Sequence, residues 1–158
     1  QAEWKEFDCD KRVWEVPVER MKMRRPHLVP LSDQVVAALR EIQAVTGRYN
    51  LVFPGRNDIT KPISEASINQ VLKRIGYHGK ATGHGFRHTM STILHEQGYN
   101  TEWIELQLAH VDKNTIRGTY NHAQYLEQRR EMLQWYGDYV NRLEKQGDGE
   151  IVKLREMG

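Results

Sequence analysis

The chain has 158 residues, enough for one domain with a real core. Hydrophobic residues make up 39% and charged residues 28%, a balance that excludes a disordered or fibrous chain. No apolar run approaches the roughly 20 residues of a membrane helix. Net charge is +2 but unevenly placed. Residues 11–90 hold 14 Lys/Arg against 6 Asp/Glu, residues 1–10 hold 1 against 4, and residues 91–158 hold 8 against 11. A basic middle between mildly acidic ends suits a phosphate backbone, because each neutralised phosphate releases counterions. It suits the solvated face of a basic protein as well. One cysteine, Cys9, excludes an internal disulfide and a cysteine-rich zinc site, and an intracellular setting is expected. The start, Gln1-Ala2-Glu3-Trp4, has neither signal-peptide character nor an initiator Met. The expectation is a chain cut from something longer.

The first 30 residues predict strands at Trp4–Phe7 and Val13–Val18, joined by the polar turn Asp8-Cys9-Asp10-Lys11. A third strand, His27–Leu31, follows the basic link Lys22-Met23-Arg24-Arg25-Pro26. Together they predict a small antiparallel sheet with a charged hairpin tip. From Ser32 the period turns helical. Ser32 or Asp33 caps a helix carrying Val35, Val36, Leu39, Ile42 and Val45, which Gly47 stops. A loop with Pro54-Gly55 follows, and then a helix from Ser64 to Gly76. Further helices are predicted over His84–Gln97, from Asn100 or Thr101 through Leu108, over Lys113–Thr119, and over Tyr125–Lys145. The tail from Gly147 has three glycines and no clear period, and is expected to be loose or to dock elsewhere. The expected fold class is α+β and mainly α-helical, with a three-stranded antiparallel sheet before a helical domain. That domain is expected to span residues 1–146, with 147–158 as the tail.

Several chemistry-bearing residues stand in order. Lys22 lies at the hairpin tip, His84-Gly85-Phe86-Arg87 opens a helix, Ala109-His110 ends the next, and Tyr120 follows ten residues later. A tyrosine hydroxyl, with a pKa of about 10, is a poor nucleophile at neutral pH unless its anion is stabilised or its proton removed. Arg87 can grip a phosphate through two parallel hydrogen bonds. Histidines can donate to phosphate oxygens or move protons, and a hairpin lysine can protonate a departing alkoxide. The set suits phosphoryl transfer without metal.

In this order and spacing the motifs resemble those of the tyrosine recombinase (phage integrase) family, and most of all its prophage and pathogenicity-island integrases. The matching elements are His84-x-x-Arg87, Leu108-Ala109-His110 and Tyr120-Asn121, with the lead-in Met21-Lys22-Met23-Arg24-Arg25-Pro26-His27-Leu28-Val29-Pro30-Leu31-Ser32. The likeness covers about residues 1–145. It implies the fold of that family's catalytic domain. It also implies that Tyr120 attacks a phosphodiester to give a 3′-phosphotyrosyl link and a free 5′-hydroxyl. Arg87 and His110 would bind the non-bridging oxygens, His84 would assist proton transfer at Tyr120, and Lys22 would protonate the leaving oxygen. The implied partners are double-stranded DNA attachment sites, further copies in a tetramer on DNA, and accessory DNA-bending or excision proteins. No cofactor and no metal are implied, and the location would be the bacterial cytoplasm at the nucleoid. One departure matters: the family uses a further arginine upstream of the first strand, and none precedes Arg12. The fragment alone is therefore expected to have little or no strand-exchange activity.

Other readings compete at individual residues. Tyr125 is the nearest competitor to Tyr120, but it opens the long helix and fits the motif poorly, whereas Tyr99 follows a helix-stop glycine and is expected to pack. His84 and His88 have the spacing of zinc ligands, but Gly85 stands where a zinc protease needs Glu. His88 is expected to be structural or to support a neighbour. Arg24 and Arg25 are expected to contact DNA beside Lys22. Trp135, Tyr136 and Tyr139 would either pack on the core or meet a neighbouring subunit. A type IB topoisomerase shares this chemistry, and a non-catalytic helix-turn-helix module would share the basic charge.

Overall fold

The computed structural model describes residues 1–21, 27–109 and 125–156, with side chains of the last helix described as far as Gly147. Strands β1 (Phe7–Asp8), β2 (Val13–Val16) and β3 (His27–Pro30) form one antiparallel sheet in that order. Phe7 pairs with Trp14, and Val16 with His27. Among the described residues five helices follow: α1 (Asp33–Thr46), α2 (Ser67–Arg74), α3 (Gly83–Glu96), α4 (Thr101–Gln107) and α5 (Leu126–Glu156), while the helix expected over Lys113–Thr119 lies outside them. The expected α+β class and the leading three-stranded sheet are thus found. Among the described residues, no helix is long and apolar enough to cross a membrane.

The helix starts follow cap chemistry. The Ser32 hydroxyl accepts the Val35 amide, the Thr82 hydroxyl accepts the Gly85 amide, and the Asn100 side chain accepts the Glu102 amide. Four boundaries differ from the expectation. Trp4–Glu6 is a 3-10 turn rather than a strand. The Trp4 amide donates to the Asn50 carbonyl and its indole to the Thr46 carbonyl, and these distant partners override the local β preference. Strand β2 ends at Val16 because Pro17 lacks an N–H, and a second 3-10 turn, Val18–Arg20, carries the chain on. Ser64 opens a turn, its hydroxyl accepting from the Ala66 amide, so α2 begins only at Ser67. Helix α5 runs past Lys145 to Glu156, and neither Gly147 nor Gly149 interrupts its backbone.

The core lies in two clusters. Leu31, Val36, Leu39 and Val52 pack with Trp4, Phe7, Trp14 and Ile42 between the sheet and α1. Leu94, Ile104, Leu108 and Met132 pack with Met90, Tyr99, Trp103, Trp135 and Tyr136 among α3, α4 and α5. Tyr99, Trp135 and Tyr136 therefore serve packing, and Tyr139 stacks on Trp135 with ring centroids 5.4 Å apart. Helix α5 spans both regions. Its Arg130 guanidinium donates to the Lys11 and Arg12 carbonyls, and Gln34 on α1 donates to Asp138.

Candidate active site

Helix α3 presents its first turn to solvent. Asn69 on α2 accepts the Gly83 amide at 3.0 Å, and the Thr82 hydroxyl accepts the Gly85 amide at 2.9 Å. A Cβ on Gly85 would lie 3.1 Å from that hydroxyl, so the smallest residue keeps the cap close. His84 and Arg87 follow on this fixed turn, and both are exposed. His84 Nε2 lies 3.0 Å from His88 Nε2, with the rings edge to face. One ring nitrogen donates and the other accepts, so the contact couples the orientations of the two rings. Among the described residues, no group of three or more His, Cys, Asp or Glu side chains could hold a metal ion.

The Arg87 guanidinium reaches across to α4, where its Nη2 donates to the Leu108 carbonyl. Leu108 closes that helix, and Ala109 then turns the chain with φ +50°, a left-handed conformation that costs a side-chain-bearing residue about 1 kcal/mol. Two of the expected residues, His84 and Arg87, thus share one surface with the backbone that leads directly into a third, His110. Lys22, Arg24, Arg25, His110 and Tyr120 themselves lie outside the described residues. Tyr125, the alternative tyrosine, donates through its hydroxyl to Glu102 at 3.1 Å and faces the Trp103 ring, which makes it a tie between α4 and α5.

Sequence reasoning missed one group. Arg129, on the first turns of α5, is fully buried. Its Nη2 donates to the Leu28 carbonyl of β3 at 2.8 Å and to Gln107 Oε1 of α4 at 2.7 Å, and its Nε donates to the same Gln107 oxygen at 3.2 Å. Burial pushes the guanidinium down to about 10, so it stays charged at neutral pH. The only signal in the sequence was an arginine on the helix face shared by Leu126, Met132, Leu133 and Tyr136.

Comparison with known proteins identifies the family. The model of the phage integrase family matches residues 1–127. The integrase of Shigella phage Sf6 is 46% identical over 140 residues, which cover 88% of this chain and 36% of that protein. Prophage integrase IntS of Escherichia coli K12 is 47% identical over 139 residues, covering 87% of this chain and 36% of IntS. Prophage integrase IntA of the same strain is 44% identical over 163 residues, covering the whole chain and 39% of IntA. The chain thus spans little more than a third of the length of these relatives. No solved structure matches it. With the family model covering most of its length and the motif residues on α3 and at the end of α4, the chain belongs to the phage integrase family.

Proposed function

We propose that this chain carries the catalytic residues of a site-specific DNA recombinase that breaks and rejoins strands through Tyr120. The observation that carries the reading is the Arg87 side chain. It is fastened to the carbonyl that ends α4, two residues before His110, with His84 one helical turn away and solvent in front. A guanidinium held in this way is a preformed clamp for a phosphate whose negative charge grows during attack.

In the proposed mechanism Tyr120 Oη attacks the scissile phosphorus and the bond to the 5′-oxygen breaks. Tyr120 then carries the 3′-phosphate. Arg87 and His110 hold the two non-bridging oxygens. His84, oriented against His88, takes the Tyr120 proton, and Lys22 supplies a proton to the leaving 5′-oxygen. A 5′-hydroxyl from a second duplex reverses the step and completes the exchange. The number of phosphoester bonds is unchanged, so no nucleotide hydrolysis is needed.

The partners under this reading are duplex attachment sites, gripped in part by Arg24 and Arg25, together with further copies in a tetramer and accessory DNA-bending or excision proteins. The family's additional arginine would come from sequence upstream of Gln1, and residues 1–158 alone would support little exchange. The test uses a version extended upstream to the length of the relatives, incubated with a nicked attachment-site duplex that traps the covalent intermediate. The extended protein should form an adduct that Tyr120→Phe abolishes. Adduct formation by the Phe variant would refute Tyr120 as nucleophile, and relaxation of arbitrary plasmid DNA would favour topoisomerase activity instead.

A further inference from the structure

A buried arginine needs a reason. Packing alone would be served better by a leucine or methionine, because a desolvated guanidinium gains little net stability even when hydrogen-bonded. Arg129 is fully buried, so it cannot meet a phosphate or an outside partner directly. Its contacts are selective. From α5 it holds one backbone oxygen of β3 and one side chain at the end of α4. Its Nη1 is buried with no hydrogen-bond partner among the described residues, so the arrangement is not the one that best satisfies the guanidinium.

The three elements joined there share one property in the sequence. Leu28 follows Lys22 by six residues, Gln107 precedes His110 by three, and Arg129 follows Tyr120 by nine. We infer that Arg129 is a positioning residue that sets the register between the strand leading out of the Lys22 hairpin and the helix end leading into His110, from the helix that follows Tyr120. This rests on the proposed strand-exchange chemistry. Its more rigid arm is the one to Leu28, because a main-chain carbonyl cannot swing away as the Gln107 side chain can. The leaving-group proton from Lys22 is therefore the step most sensitive to its loss.

The test compares Arg129→Met, Arg129→Lys and Leu94→Ala in the upstream-extended protein. Leu94→Ala opens the neighbouring core and leaves the clasp intact, which controls for stability alone. Each variant is assayed below its melting temperature for DNA affinity and single-turnover adduct formation. Two substrates are used, one with the normal scissile oxygen and one with sulfur at the bridging 5′ position. A thiol is far more acidic than an alcohol and leaves without a proton. Arg129→Met should bind DNA normally and cleave the oxygen substrate about tenfold or more slowly, since small misplacements of reacting groups carry such penalties. The deficit should shrink on the sulfur substrate. Arg129→Lys, which keeps the charge but not the fork, should fall between and decides the matter should the Met variant not fold. An equal deficit on both substrates, or one matched by Leu94→Ala, overturns the inference. Adduct from the parent with unimpaired Arg129 variants also overturns it and leaves the strand-exchange reading standing. A parent that forms no adduct overturns both.

Discussion

Replacing Gly137 by alanine pits helix propensity against a close crossing. Gly137 lies in α5 where that helix passes the start of α1. A Cβ built there would sit 2.5 Å from Gln34 Oε1 and 2.9 Å from Ser32 Oγ. Alanine in a helix interior gains about 1 kcal/mol over glycine. Against it stands the displacement of Gln34, which donates to Asp138 at 2.6 Å and accepts from Gln134 at 3.2 Å. Two such bonds are worth about 1 kcal/mol each. Disturbing Ser32, which accepts the Val35 amide at the start of α1, threatens a cap worth about 1 kcal/mol more. The net expectation is a loss of about 1–2 kcal/mol, since part of the strain relaxes through the Gln34 rotamer. For a chain of 158 residues that lowers Tm by roughly 2–8 °C. Thermal unfolding followed by circular dichroism measures it. A Tm raised by a few degrees would mean that propensity wins and that α1 and α5 do not cross as closely as described.

Other outcomes follow from the same structure. Arg87→Lys keeps the charge but loses the planar fork, and single-turnover adduct formation in the extended protein should fall about 100-fold or more. An effect below about threefold would remove Arg87 from phosphate binding. Burial holds the Tyr99 and Tyr136 phenols above their ordinary range, with Glu131 adding to the shift at Tyr99 and Tyr139 at Tyr136. The fold therefore favours the protonated phenols. Their contribution is fully present below a pH of about 10 and is lost as pH rises through the folded values. Urea midpoints should fall on raising pH above about 10, and phenolate absorbance should show a fraction of tyrosine titrating late. Flat midpoints, with every phenol titrating together, would contradict the packing of the second cluster.

Much of this was legible in the sequence where the determinants are local. Ser32 and the spacing of Val36, Leu39 and Ile42 mark α1 without any tertiary knowledge, and the alternation of Val13–Val16 marks β2. His84 and Arg87 stand three residues apart, and the first turn of α3 exposes both. What escaped depends on distant partners. Trp4 looks like a strand residue, and only its bonds to Thr46 and Asn50 draw it into a 3-10 turn. Gly137 reads as a weak point in a helix until Gln34 and Ser32 are placed against it. Arg129 reads as a surface charge, and its acceptors lie 22 and 101 residues away in sequence.

The most direct test of the central claim is to locate the DNA link on the chain. The trapped adduct of the extended protein is digested with nuclease and trypsin, and the tryptic peptide from Gly118 to Arg129 is fragmented by mass spectrometry. That peptide holds two tyrosines, Tyr120 and Tyr125. The account predicts a nucleotide joined through its 3′-phosphate to Tyr120, with Tyr125 unmodified. A nucleotide on Tyr125, or on no tyrosine of this peptide, would contradict it.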